Sequence, residues 1–311
     1  MIKINTPTEL QTIDAAQIMI HGMAGVGKSA LVLGVKKSLW VVFDKSNKRT
    51  SAYFQTDCDI VVPESYQDVK ELFTTINLTG YDTIVVDGLG IMLDLLEEEL
   101  KKIHGAYTAG VPTPKGHQLR NGYLNELLKM IDRTNKNIIY TVHQEEKITK
   151  NDTIRYTPSL SAKAATLFSR NLDLILCLTL DGTTRILDPN ASLYNIGKNS
   201  IGLPVMEVPV LLDDNGEPIK ENNFFQTQIL DKYYEYHAKQ QKIKQESNKI
   251  IEEITQKIKE TSTCEELNYI IENIDTVFNH VGRSKAHASR EIQARAKELN
   301  FTFNKEEKRY E

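Results

Sequence analysis

The sequence predicts an α/β protein built on a mostly parallel sheet with an antiparallel edge hairpin and a C-terminal helical extension. Three observations carry this reading. Short β-branched runs, apolar along their whole length, alternate with longer stretches of helical spacing through residues 1–221. The first of those runs ends at a glycine-rich loop that opens a helical pattern. Near the end of the region Asp181-Gly182 stands between two apolar runs, the signal for a tight hairpin because glycine tolerates positive φ.

The elements follow in order. Gln17–His21 (QIMIH) is the first strand, and Leu39–Phe43, Asp59–Val62, Thr83–Val86 and Asn137–Val142 are further runs of the same kind. Between them, Lys28–Lys37, Ser65–Ile76, Gly90–His104 and Leu119–Thr134 have helical spacing; Leu124, Leu127, Leu128 and Ile131 fall on one stripe. Strands without a polar face are expected where helices cover both sides of a parallel sheet. Leu172–Leu180 and Thr183–Leu187 form the hairpin around Asp181-Gly182.

The pattern changes at Asn222. Residues 1–221 read as the core and residues 222–311 as a helical extension rich in Lys, Glu and Gln. Ile243, Ile250, Ile251, Ile254 and Ile258 mark one apolar face; Leu267, Ile270, Ile271, Ile274, Val277, Phe278 and Val281 mark another. Ser262 and Glu265 have capping-box spacing ahead of the second. Such an extension closes its own small core, docks on the main one, or binds a partner. Its cationic stretch of Arg283, Lys285, Arg290, Arg295 and Lys297 suits a solvated face better than a second DNA contact.

Composition narrows the function. With 311 residues the chain has room for two domains at ~100–200 residues each. A hydrophobic share of 40% against 26% charged argues against disorder. Net charge of −4 excludes a globally basic nucleic-acid protein, though not a local basic patch. Cys58, Cys177 and Cys264 are too scattered for a disulfide framework or a zinc site. No run approaches the ~18 apolar residues of a membrane span, and the opening lacks a secretory apolar run. A cytoplasmic protein is expected, with no membrane partner.

One motif carries chemistry. Gly22-Met23-Ala24-Gly25-Val26-Gly27-Lys28-Ser29 matches G-x-x-x-x-G-K-[ST], with Ala30 continuing into the helix. Glycines let such a loop aim successive backbone N–H groups at phosphate oxygens, and the helix N-terminus adds partial positive charge. Lys28 would reach the β- and γ-phosphates of ATP, and the Ser29 hydroxyl would ligate Mg²⁺. The apolar strand ending at Asp87 supplies a carboxylate for the metal's outer shell; the alternative is a strand-terminal Asp that caps a helix. The strand Ile138–Gln144 ends in His143-Gln144, either of which is placed to sense the γ-phosphate, unless this is an ordinary solvated strand end.

Phosphate loop, acid-ending strand, His-Gln strand and hairpin, in that order, resemble the RecA-type ATPase core, and more closely the compact phage ATPases of single-strand annealing and recombination. The similarity covers roughly Ile13 to Val210. Pro158–Ala165 followed by Arg170-Asn171-Leu172-Asp173 resembles the family's short helix before an Asp-bearing strand. Gly197–Pro204 resembles the segment that reaches a neighbour's nucleotide, with Lys198 as its cation. The resemblance implies ATP and Mg²⁺ as cofactors, single-stranded DNA as partner, a homo-oligomer, a single-stranded-DNA-binding protein as a further partner, and the cytoplasm of a bacterial host. It places DNA on the loops Gly105–Gly122, with Tyr107, Lys115, His117 and Arg120, and Glu145–Thr157, with Lys147, Lys150, Arg155 and Tyr156.

Two departures from the family pattern bear on rate. Ser46 stands where the catalytic glutamate is expected, leaving Asp44 as the candidate base, and Ser200 stands where the segment's arginine is expected. Both imply weak hydrolysis, with ATP acting as an assembly switch. A replication helicase or helicase loader on the same core, and a nucleotide-dependent module that recruits a partner through the tail, are the rival readings.

Overall fold

Apolar runs of this composition become central strands because each face of the sheet needs its own hydrophobic cover. A computed structural model describes residues 15–43, 58–148, 152–211, 213, 215, 220–281 and 284–311. Asp44, Ser46, Lys150 and Arg283 lie outside the described residues. One compact unit spans Ile13–Tyr234; a second holds Glu235–Glu311.

The elements are β1 (Gln17–Gly22), α1 (Lys28–Val32), β2 (Ser38–Val42), β3 (Asp59–Val61), α2 (Tyr66–Thr74), β4 (Thr83–Asp87), α3 (Leu89–Lys101), β5 (Tyr107–Thr108), β6 (Val111–Pro112), α4 (Pro114–Arg133), β7 (Asn137–Ile148), β8 (Ile154–Pro158), α5 (Ala162–Asn171), β9 (Leu174–Asp181), β10 (Thr184–Asp188), β11 (Lys198–Asn199) and β12 (Met206–Val208). A single π-helical turn, Gln226–Leu230, leads into α6 (Asp231–Lys259), followed by α7 (Cys264–Glu272), α8 (Ile274–Val277), α9 (Ser284–Glu298), β13 (Phe303–Asn304) and β14 (Arg309–Tyr310).

The main sheet runs β12-β10-β9-β1-β7-β4-β2-β3. Pairs from β9 to β3 are parallel, while β10, β11 and β12 add an antiparallel edge on the β9 side. The Asp181-Gly182 hairpin is present, with Gly182 at φ 60°. Alternate residues of each parallel strand enter different cores. Met19, Leu39, Val41, Ile84, Val86, Ile138 and Tyr140 pack under α2 to α5. Ile18, Ile20, Trp40, Val42, Val85 and Ile139 pack on the α1 side. Each such side chain stabilises by about 1.5–3 kcal/mol on burial, which explains why neither face could be polar.

Phe225, Ile229, Leu230 and Tyr233 complete the α1-side core, so the first unit continues past Glu221 to Tyr234. Residues 222–234 read as helical and part of the extension because local periodicity does not say which core an apolar face joins. Gly34 fixes this join: a Cβ there would lie 1.4 Å from the Asn222 carbonyl oxygen, and the Asn222 amide donates to Ala30 O at 2.7 Å.

In the second unit Ile254, Ile258, Leu267, Ile270, Phe278, Ala288, Ile292, Ala296 and Tyr310 form one core, whereas Ile243 is exposed. The capping box sits one residue later than its sequence spacing suggested. Thr263 is the N-cap and accepts from Glu266 N, while the Glu266 carboxylate accepts from Ser262 N and Thr263 N. Lys285 pairs with Asp275, and Arg295 donates to Thr261 O and pairs with Glu298, so two of the tail's cations serve this unit's own packing.

Candidate nucleotide site

The site lies at the carboxyl ends of the parallel strands, where open α/β sheets bind ligands. The register brings the ends of β1 and β4 beside the middle of β7: Gly22 pairs with His143, and Asp87 with Thr141. Between β1 and α1 the loop turns through Gly25 at φ 78° and Gly27 at φ 100°, conformations a Cβ disfavours. A Cβ at Gly22 would lie 2.4 Å from Leu178 O, so the entry to the loop also needs glycine. Met23 and Ala24 are exposed on its outer turn, and Val26 is buried beneath it.

Lys28 is buried and folds back over the loop, donating to Gly22 O at 2.8 Å and Met23 O at 2.9 Å. Anionic phosphate oxygens are stronger acceptors than these carbonyls. Ser29 Oγ lies 2.9 Å and 3.0 Å from the two carboxylate oxygens of Asp87. A hydroxyl and a carboxylate adjoining a phosphate loop form a hard-oxygen set suited to Mg²⁺, so the residues present fit the metal as well as the nucleotide.

Thr141, absent from the sequence-derived site, holds Asp87 in place. Its hydroxyl donates to Asp87 Oδ1 at 2.5 Å and accepts from Gly88 N at 3.0 Å. Gly88, at φ 99°, turns the chain from β4 into α3. A hydroxyl within the otherwise apolar run IIYTV was the available signal; the parallel register gives it meaning. Arg185, on β10, was also missed. It donates from Nε to Val26 O at 2.9 Å, and no local pattern in TTRIL marks it.

His143 is exposed and Gln144 is half-buried, its Oε1 accepting from Cys177 Sγ at 3.5 Å. β7 runs on to Ile148 because Gln144–Ile148 pair with β8, so the strand does not end at His143-Gln144 as the apolar run Ile138–Gln144 suggested. Burial pushes the Cys177 thiol up to about 12, keeping it protonated as that donor. Behind them His21 is fully buried, with Nε2 2.8 Å from Ile196 O. Burial drives its pKa below the ordinary imidazole value, so the ring is neutral and donates to that carbonyl.

Several expected contacts take other roles. Lys198 Nζ donates to Ser169 O at 3.1 Å and to Leu172 O, satisfying carbonyls left open at the end of α5 rather than standing free for a neighbour. The stretch Gly105–Gly122 is not a loop: it forms the β5–β6 hairpin and the first turns of α4, capped by Thr113 with Pro114 at its start. Arg120 is half-buried there, paired with Glu97 and donating to Tyr107 OH at 3.1 Å, so its charge is already satisfied. Lys115, exposed, donates to His104 O at 2.8 Å. Glu145–Thr157 likewise forms strands: β7 and β8 pair with Lys147 opposite Arg155. Lys147 is exposed and pairs with Glu145 at 2.7 Å, while Arg155 is half-buried.

A mostly parallel sheet whose β1 and β4 ends meet at a phosphate loop, with a carboxylate beside the loop's serine, defines a P-loop nucleotide-binding domain. The chain belongs to the AAA domain family, whose model matches residues 14–201. It is similar to the flagellar accessory protein FlaH from Methanocaldococcus jannaschii, at 12% identity over 57% of this chain and 76% of that one, with a TM-score of 0.33. It is also similar to a KaiC-like protein from Pyrococcus horikoshii OT3, at 10% identity over 55% of this chain and 76% of that one, with a TM-score of 0.34. No curated protein matches the chain. Among the described residues no helix is long and apolar enough to cross a membrane.

Proposed function

We propose that this AAA-family domain binds magnesium-ATP and hydrolyses it slowly, and that the bound state assembles a homo-oligomer on single-stranded DNA in phage-type recombination or annealing. The observation that carries the nucleotide part is the Ser29–Asp87 pair beside the loop Gly22–Ala30, with Lys28 folded over it. Lys28 would hold the β- and γ-phosphates, and Ser29 and Asp87 the Mg²⁺. Magnesium would neutralise charge on the phosphates; Thr141 holds the Asp87 carboxylate beside Ser29, the pair that would hold the ion. His143 and Gln144 follow Thr141 along β7, with His143 beside Gly22 at the start of the loop, a position from which a γ-phosphate would be read.

Slow hydrolysis fits the serine at position 46, the serine at 200, and the engagement of Lys198 at the end of α5. The DNA part rests on the β7–β8 hairpin, which continues directly from the site strand and sets Lys147 across from Arg155. Cations on a ribbon are suited to tracking a phosphate backbone.

The test is ATP turnover by wild type and Lys28→Ala, with and without single-stranded DNA. Turnover that rises with DNA and vanishes in the variant establishes a DNA-coupled ATPase. ATP-dependent DNA binding without turnover establishes a nucleotide switch. If neither turnover nor DNA binding appears, the DNA reading is overturned. The separate core of the C-terminal unit favours a second reading, a module that recruits a partner through Glu235–Glu311. Removing those residues would leave DNA binding intact under either reading, but partner capture would be lost only under the second.

A further inference from the structure

A phosphate-binding nest works only if its N–H groups face the anion and its carbonyls face away. At the crest of this loop the Val26 carbonyl is held from outside by Arg185 Nε at 2.9 Å. The guanidinium reaches this carbonyl from the edge hairpin, across the antiparallel pair in which Arg185 faces Leu180 of β9 and Val208 of β12. The guanidinium passes close over Gly27: a Cβ there would sit 3.1 Å from Arg185 Nε, a tight contact. Gly27 supplies the left-handed turn at φ 100° and leaves room beside the arginine.

We infer that Arg185 is a positioning residue of the phosphate loop, pre-orienting the nest for a polyphosphate by fixing the Val26 carbonyl outward. This rests on the nucleotide reading of Gly22–Ser29 given above. Three features set Arg185 apart from a surface arginine. It is half-buried, it is a charged donor to a carbonyl, and the carbonyl belongs to the residue just before Gly27 and Lys28. A charged donor holds a carbonyl more strongly than water does and limits peptide rotation at the point where the loop must offer its N–H groups. The cation also lies beside the loop, where its field favours an anion. Without it, the Val26 peptide is free to rotate and part of the binding energy is spent on ordering the loop.

The experiment measures binding of ATP and of inorganic tripolyphosphate, each with Mg²⁺, to full-length wild type, Arg185→Ala, Arg185→Lys and Lys28→Ala by calorimetry, with melting of each nucleotide-free protein. Because the effect is on the loop, Arg185→Ala should weaken ATP and tripolyphosphate by the same factor, about tenfold. Arg185→Lys, which keeps a charged donor, should recover most of both affinities. The nucleotide-free melting temperature should change little, since the hairpin's apolar contacts remain.

Three results overturn the inference: wild-type affinities in Arg185→Ala; a loss for ATP with tripolyphosphate unchanged, which would place Arg185 on the nucleoside; or a large fall in melting temperature that lysine does not rescue, which would make the arginine structural only. A wild type that binds neither ligand, and is indistinguishable from Lys28→Ala, overturns the nucleotide reading itself and this inference with it.

Discussion

Ser29 Oγ donates to both carboxylate oxygens of Asp87, at 2.9 Å and 3.0 Å, although the two residues stand 58 positions apart in the chain. The contact joins the first turn of α1 to the tip of β4 beside the phosphate loop. Asp87→Asn keeps the shape but removes the charge that would attract Mg²⁺. The expected outcome is ATP affinity no longer raised by Mg²⁺, read from binding isotherms with and without the metal. An undiminished magnesium effect in the variant would remove Asp87 from the metal site.

Lys28→Ala should abolish measurable ATP binding while the protein melts cooperatively as before, because the lysine's two carbonyl partners remain part of an intact loop. Retained affinity in a fluorescent-nucleotide titration would sink the phosphate-loop assignment.

Thr141→Val removes the hydroxyl that links Asp87 to Gly88 N and leaves the β7 backbone unchanged. Losing a buried hydrogen bond to a charged group costs about 1.5–3 kcal/mol. Urea unfolding should show a loss of that order, together with a weaker magnesium dependence of ATP binding. Wild-type values in both measurements would mean that Thr141 does not hold the carboxylate.

Gly34→Ala tests the join between α1 and Asn222. A Cβ at 1.4 Å from a backbone oxygen cannot be accommodated by a side-chain shift. The expected loss is about 3 kcal/mol or more, beyond ordinary overpacking. A chemical-denaturation midpoint equal to wild type would show that residues 222–234 do not pack on the first unit as described.

His21 sets a pH dependence. Its folded pKa lies below the ordinary value of 6.5 because burial disfavours the charged ring, so the unfolded chain binds the proton more tightly. The stability it contributes is full above 6.5 and is lost as pH falls through the lowered folded value. Melting temperatures should therefore drop as the pH falls from 6.5 toward that lowered value, and His21→Gln should flatten this part of the profile. An unchanged slope in the variant would assign the acid sensitivity to other groups.

The sequence by itself determined the strand–helix alternation, the position of the phosphate loop and the acid at the end of β4. It also determined the hairpin at Asp181-Gly182. All of these are local: apolar period, glycine where φ is positive, and motif spacing are written within a few residues of where they act. Tertiary structure decided the rest. The pairing of β4 with β7 made Thr141 a site residue, and the edge hairpin brought Arg185 to Val26 from 159 positions away. Folding also withdrew residues that composition had offered. Arg120 found Glu97, and Lys198 found the open carbonyls of α5, because a half-buried cation is costly until it is paired. A side chain's type is legible in one dimension, but which charge or carbonyl faces it depends on strand register and helix packing, which only the folded chain fixes.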